Sequence, residues 1–274
     1  MFARVLGSAA GGGSPQWNCH CAVCGSVRAG AGHPRTQSSM AVSLDRREWF
    51  LFNASPDVHR QIDGLTVNAV LLTDAELDHT LGLLILREGR ELVLYATPAI
   101  VTTLRDGSGL LPLLERYCTV DWRPVDFGVA IELTPGLTCE AFDVPTTKKD
   151  RFGVTVSDGR VVGYRITDQH TGGTLVYLPG AQELPDIGPC DCLMLDGSFF
   201  RDDELSATRT ARDMGHIPIE DSLPRLGDQK RHARRTIFVH INNTNPILLD
   251  DTPERRVVEA NGMEVAMDGL EVQL

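Results

Sequence analysis

The stretch Ala69-Val-Leu-Leu-Thr-Asp74-Ala-Glu76-Leu-Asp78-His79 runs an apolar strand straight into three carboxylates and an imidazole. Side chains on a strand-to-helix loop point off the end of a sheet, where metal and substrate sites tend to lie. Carboxylate oxygen and imidazole nitrogen are both metal ligands, although an Asp-His pair at a helix N-terminus also serves as a cap. Two further apolar strands end in the same way: Cys192-Leu-Met-Leu195 runs into Asp196, and Thr236-Ile-Phe-Val239 into His240. Ligand-type residues at three separate strand ends are how a sheet scaffold assembles one site from distant parts of a chain. Chance explains one such end more easily than three.

A second constellation is Cys19-His-Cys21-Ala-Val-Cys24. Thiolates this close in sequence can converge on one tetrahedral zinc at about 2.3 Å, provided a fourth ligand comes from elsewhere. The alternative is a group of partly buried free thiols, which would be an oxidation hazard. A zinc here would be structural: it would pin a loop at about residues 15–30 and leave no open position for chemistry. Cys118, Cys139, Cys190 and Cys192 are ungrouped and read as small apolar core residues. Gly7-Ser-Ala-Ala-Gly-Gly-Gly13 follows a predicted strand, but Ser14-Pro-Gln16 replaces the Lys and Ser/Thr of a phosphate loop. It reads as a tight turn that lets backbones approach closely.

Those residues need a scaffold. Short apolar runs bounded by turn signals predict strands over 2–6, 40–44, 49–52, 69–72, 92–95, 131–133, 139–142, 161–166, 174–177, 192–195 and 236–240. Helical patterns are fewer, over 79–88, 99–105 and 220–225. Strands come in runs with occasional helices between them, without strict βαβ alternation. Two packed sheets with helices on the outer faces, in a single domain over 1–274, fit that order.

Composition bounds the function. The 274 residues are 42% hydrophobic and 23% charged, with no run long enough to span a bilayer. Against 26 basic residues stand 37 acidic ones, and the net charge of −11 argues against a nucleic-acid or anionic-membrane surface. Arg4 and the Gly11–Gly13 run interrupt the N-terminal apolar stretch, which reads as no export signal and predicts a cytoplasmic protein. The basic stretch Lys230-Arg-His-Ala-Arg-Arg235 reads as a solvated helix end or turn.

Asp78-His79-x-x-Gly82, strand-end Asp196 and strand-end His240 resemble the metallo-β-lactamase superfamily, whose usual ligand motif is H-x-H-x-D-H. More narrowly, the chain resembles the PqqB family of pyrroloquinoline quinone (PQQ) biosynthesis. The segments that carry this run almost from end to end. They include Val5–Gly13, Pro15–Cys19, Arg35–Ser39, Asn53–Asp57, Asp78–Leu83, Leu86–Gly89, Met214–His216 and His240–Ile247. The resemblance implies an α/β αββα sandwich of two mixed sheets. Where the superfamily's first two histidines stand, this chain has Asp74 and Glu76, and no mid-chain His is found near Pro145–Lys149. One metal site therefore looks dismantled, and Asp78, His79, Asp196 and His240 would remain as the other. A set of two imidazoles with carboxylates suits non-haem Fe(II), although catalytic zinc accepts the same donors.

The function that the resemblance implies is Fe(II)- and O2-dependent hydroxylation of the tyrosine-derived ring of a cross-linked Glu-Tyr diamino acid. The alternative is a soluble carrier of PQQ or its precursor on a degenerate hydrolase scaffold. Other proteins of the pathway are possible partners. Asp74 and Glu76 would orient the ligands from behind, complete the shell, or be solvated. His216 is a candidate proton carrier for a phenolic substrate, or else a surface or capping residue. Arg209 and Arg212 could pair with substrate carboxylates, or form an exposed cationic loop. Similar hydrolases close the cysteine tetrahedron with a His at the position that is Asn243 here, so Asn243 through its carbonyl oxygen, His20 or another residue would be the fourth zinc ligand.

Overall fold

The structure is a computed structural model that describes residues 1–154, 158–206, 208–228 and 233–274. Strands β1 (Phe2–Gly7), β2 (Ser39–Ser43), β3 (Glu48–Phe52), β4 (Thr66–Leu71), β5 (Glu91–Ala96) and β6 (Thr119–Pro124) lie side by side in that order. The second sheet is built from β7 (Ala130–Thr134), β8 (Leu137–Asp143), β9 (Val162–Asp168), β10 (Thr174–Leu178), β11 (Cys190–Asp196), β12 (Ala233–Val239) and the short β13 (Glu264–Val265). A last strand, β14 (Glu271–Gln273), adds to the first sheet beside β1. Both sheets are mixed. Pairing is antiparallel from β14 to β3 and parallel from β3 to β6; it is antiparallel from β7 to β10 and parallel from β10 to β13.

The strands β10, β11 and β12 show why the layers form. Leu175 and Tyr177, Cys192 and Met194, and Ile237 and Val239 bury in the core shared with the first sheet, beside Phe52, Leu71 and Leu94. The alternate residues Val176, Leu178, Leu193, Leu195 and Phe238 face a second core. That core is completed by Ile219, Leu223 and Leu226 of helix α6 (Ile219–Asp228) and Val258 of helix α7 (Pro253–Ala260), numbered after five earlier helices. A strand buried on both faces must be apolar at every position, which is why these runs are legible as continuous hydrophobic stretches. Each fully buried Leu, Ile or Phe contributes about 1.5–3 kcal/mol. Helices α1 (Ala22–Arg28), α2 (Val58–Gln61), α3 (Leu77–Thr80), α4 (Pro98–Thr102) and α5 (Leu110–Leu114) are short. Leu110, Leu111 and Leu114 of α5 join the first core.

Every strand expected from the sequence is present, and β6, β13 and β14 are additional. The helix expected over 79–88 is not continuous: α3 gives way to 3-10 turns at Leu81–Leu84 and Leu86–Glu88. The cause is Gly82, whose amide donates to the Ala54 carbonyl (2.9 Å) while Ala54 N donates to His79 O (2.7 Å). A Cβ on Gly82 would sit 2.2 Å from the Ser55 carbonyl oxygen, so only glycine permits the approach. The helix over 99–105 likewise stops at Thr102 and continues as a π turn over Thr103–Gly107. The turn reading of the Gly7–Gly13 segment is matched by Gly7 lying against the Gln37 carbonyl and by positive φ at Gly12 and Gly13. Of the Lys230–Arg235 stretch, residues 230–232 lie outside the described residues. Arg234 and Arg235 sit in β12 and pair with Asp191 (3.2 Å) and Glu264 (2.5 Å), rather than ending a helix.

Candidate metal centre

The parallel halves of the two sheets deliver their C-terminal strand ends to one place, where open α/β sheets gather ligands. Asp74, Asp78 and His79 follow β4, Asp196 ends β11 and His240 follows β12. One ligand atom each from Asp78, His79 and His240 lies within 4.8 Å of the others, and Asp196, His216 and His240 form a second such group. The four residues expected to form one shell therefore divide. Asp196 turns Oδ2 to His216 Nδ1 at 2.7 Å and joins Asp78 and His79 only through the shared His240. His216, expected as a proton carrier apart from the ligands, is part of the cluster; its ring stacks on His240 with centroids 5.2 Å apart.

Hydrogen bonds fix which nitrogen each ring offers. His79 Nδ1 donates to Asp74 Oδ2 at 2.7 Å, and Thr73 Oγ1 donates to the same oxygen at 3.0 Å. This leaves Nε2 of His79 as the lone-pair nitrogen, and it is buried with no hydrogen-bond partner. At His240, Ser198 Oγ donates to Asp196 Oδ1 (2.7 Å) and so accepts from His240 Nδ1 (2.8 Å). His240 Nε2 then faces Asp78 Oδ2 at 3.3 Å, and His79 Nε2 lies 3.9 Å from that oxygen. Two nitrogen lone pairs and a carboxylate oxygen pointed at one another repel unless positive charge sits among them. His240 itself holds φ of 55°, a left-handed conformation that costs energy in a non-glycine residue and clusters at functional sites.

The electrostatics agree. Burial alone would lower the His79 pKa, but Asp74 and Asp78 outweigh it and raise the imidazole to about 9. Burial opposes ionisation of Asp78 and Asp74 too, yet the neighbouring imidazoles hold both below the usual carboxylate range. Asp196 is likewise lowered against its own burial, mainly by His216. His240 is shifted down, first by burial and then by His79 and His216. A centre that draws a proton onto a buried imidazole is one in which a divalent cation fits. The donor set is nitrogen, nitrogen and carboxylate oxygen, with Asp74 and Ser198 fixing both rings from behind.

Glu76 does not orient a ligand. Its carboxylate turns to Lys148 Nζ (2.7 Å) and Arg151 Nε (3.7 Å). Nor do Arg209 and Arg212 reach the centre. They line an adjoining groove, where Arg212 pairs with Asp221 at 2.7 Å. The cavity over the ligands, about 250 Å³, is lined instead by Lys148, Arg151 and Arg160, with Phe152 and Phe199 as apolar walls. Those cations come from the connection between β8 and β9, which carries no periodic signal. Ser198 carries no sequence signal beyond its place at the Asp196-Gly-Ser198 strand end.

The cysteines converge as their spacing predicts: one sulfur from each of Cys19, Cys21 and Cys24 lies within 4.8 Å of the others. Burial raises the Cys21 thiol to about 11, whereas a hydrogen bond from the Cys21 backbone lowers Cys19. The Asn243 backbone carbonyl lies 3.7 Å from Cys21 Sγ and 3.6 Å from Cys24 Sγ. The side chain of Asn243 meets Cys24 Sγ through its amide nitrogen, at 3.3 Å, rather than through the carbonyl oxygen expected of a zinc ligand. It acts as a hydrogen-bond donor to that sulfur. His20 is exposed.

No helix among the described residues is long and apolar enough to cross a membrane. Residues 48–241 match the family described as a beta-lactamase superfamily domain. The chain is 40% identical to coenzyme PQQ synthesis protein B of Cupriavidus taiwanensis, with 99% of each chain covered. It is 37% identical to the protein of the same name from Pseudomonas entomophila, with 100% of each covered. Among solved structures, Zn2+-bound PqqB from Methylobacterium extorquens superposes with a TM-score of 0.90 at 37% identity, covering 100% of both chains. A diphosphatase of the PhnP family, at 24% identity and a TM-score of 0.74, shares the fold. With its two mixed sheets and this similarity over its whole length, the chain belongs to the PqqB family, the coenzyme PQQ synthesis B proteins of the beta-lactamase superfamily.

Proposed function

We propose that the protein acts in PQQ biosynthesis as a non-haem iron hydroxylase of the tyrosine-derived ring of a cross-linked Glu-Tyr diamino acid. The observation that carries this is the convergence of His79 Nε2, buried and unpartnered, with His240 Nε2 and Asp78 Oδ2 at the floor of a small open cavity. Two imidazoles and one carboxylate on one side of an ion form the donor set of non-haem Fe(II) oxygenases. Ferrous iron bound there would supply the one-electron chemistry that O2 requires.

The chain's own residues do the rest. Asp74 and Ser198 keep Nδ1 of His79 and His240 protonated, so that both Nε2 atoms stay available. Asp196 holds His216 by Nδ1, which leaves the other ring nitrogen of this cavity-lining residue to take the proton of a phenol. Phe199, its ring 5.8 Å from that of His216, excludes water and offers an apolar face to an aromatic ring. The three cysteines would hold a structural zinc, and the hydrogen bond from Asn243 Nδ2 to Cys24 Sγ ties α1 to the 240–243 segment.

The test is anaerobic, Fe(II)-loaded protein mixed with the diamino acid and a two-electron reductant such as ascorbate, and then with O2, so that one oxygen atom enters the ring and the other leaves as water. Ring hydroxylation with stoichiometric O2 uptake is expected. Tight binding without turnover would replace this reading with that of a soluble carrier, and oxygen-independent cleavage of a phosphodiester would replace it with a single-metal hydrolase.

A further inference from the structure

The cavity is lined by three cations that its candidate metal ligands do not explain. Lys148, Arg151 and Arg160, all from the connection between β8 and β9, line it together with His79, His216 and His240. Four carboxylates line it as well, but Asp74 and Asp78 face the imidazoles of His79 and His240, which leaves Glu76 and Asp150 against the three cations. One carboxylate serves two of the cations: Glu76 Oε1 is 2.7 Å from Lys148 Nζ, and Oε2 is 3.7 Å from Arg151 Nε. Asp150, on the same connection, accepts from the amides of Phe152 (2.9 Å) and Val154 (3.1 Å). Arg160 has no carboxylate within 4.0 Å among the described residues.

We infer that Lys148, Arg151 and Arg160 recognise the carboxylates of the substrate, and that Glu76 holds Lys148 and Arg151 in place until those carboxylates displace it. This rests on the reading of the cavity as the site of the cross-linked diamino acid. That molecule keeps the glutamate side-chain carboxylate and two α-carboxylates, three anionic groups for three cations. Guanidinium and ammonium groups bind carboxylates by charge-assisted bonds, the strongest polar contacts available to a small ligand. The adjoining groove shares Lys148 and Arg151 with the cavity and adds Lys149, Arg209 and Arg212. The cationic surface therefore continues outward and would steer an anion inward.

PQQ, a tricarboxylate, and its trimethyl ester serve as probes, titrated by calorimetry into full-length, Fe(II)-loaded protein without O2. Lys148→Met and Arg160→Met should each weaken PQQ binding about 10–100-fold, the scale of one lost bond to a charged group. Iron content should not change, Lys148→Arg should restore binding, and the ester should bind poorly even to the unaltered protein. Arg47→Met, the same charge change in the turn between β2 and β3, should have no effect. Glu76→Gln should tighten PQQ binding several-fold by freeing its two partners. The inference is overturned if the ester binds as tightly as the free acid, or if Lys148→Met and Arg160→Met bind PQQ like the unaltered protein. Turnover with unchanged KM in those variants would sink the inference and leave the hydroxylase reading standing. Charge-dependent PQQ binding without hydroxylation of the diamino acid would do the reverse.

Discussion

Asp74 Oδ2 lies 2.7 Å from His79 Nδ1, and the aspartate is itself held by the Thr73 hydroxyl; Asn53 in turn grips Thr73, its Oδ1 accepting from the Thr73 amide (2.9 Å) and its Nδ2 donating to the hydroxyl (2.8 Å). The orientation of one candidate metal ligand thus runs back through three residues to the end of β3, where Asn53 adopts φ of 64°. Where the superfamily motif has a first metal-binding histidine, this chain uses a carboxylate to hold a different histidine.

Asp74→Asn keeps the shape and removes the charge. It should weaken iron affinity about 10–100-fold, the usual cost of losing the partner behind a ligand. Competition with a chromophoric chelator measures this directly. Unchanged affinity would show that His79 is oriented by packing alone.

His79→Ala and His240→Ala should each abolish bound iron and turnover while the cysteine-held zinc remains. Elemental analysis of the purified variants reads both metals in one experiment. Iron retained in both variants would remove the assigned centre.

Cys21→Ala should lose that zinc and leave the iron. The loop around the cysteines then loses its anchor, because metal binding and local folding are coupled. Tm should fall by about 5 °C or more, the shift that about 2 kcal/mol produces in a chain of this size. A full zinc content in the variant would mean that the metal is held elsewhere.

Much of this was legible in the sequence, for a physical reason. Strands such as β11 and β12 are buried on both faces, so their sequences are unbroken apolar runs, and a carboxylate or imidazole at the end of such a run stands out. β6 did not stand out: Thr119-Val-Asp-Trp-Arg-Pro124 is a largely exposed edge strand with nothing to bury on one side. The direction of Glu76 was equally hidden. Whether it faces a metal or Lys148 depends on how the connection after β8 folds back, and no local pattern encodes that. Arg209 and Arg212 had the chemistry to bind a carboxylate but lie one groove away from the ligands.

Gly82 tests the link between backbone and metal. A methyl group there would meet the carbonyls of Ser55 (2.2 Å) and Ala54 (2.6 Å), neither of which can retreat without moving the chain after β3. Gly82→Ala should destabilise the fold by about 1–3 kcal/mol or more and reduce iron loading, since α3 carries Asp78 and His79. Normal stability with normal iron would mean that the two segments part easily.

The most discriminating substitution is at His216, because the geometry allows it two roles. It stands in a cluster with Asp196 and His240 that has the composition of a metal site, yet its Nδ1 is already committed to Asp196. That arrangement orients the ring for carrying a proton and, as Asp74 does for His79, equally for presenting Nε2 to an ion. Asp196 does not depend on His216 for its hydrogen bonds: Oδ2 keeps the amide of Ala181 at 2.9 Å, and Oδ1 keeps the Ser198 amide and hydroxyl at 2.9 and 2.7 Å. His216→Gln should therefore fold and retain full iron through Asp78, His79 and His240. Its kcat should fall about 10²–10⁴-fold, the contribution typical of a positioned general base, with little change in KM. In His216→Ala, added imidazole should recover part of the rate, which a purely structural role would not permit. Loss of iron from His216→Gln would instead make the second cluster part of the metal centre and move the proton-carrying step to another residue.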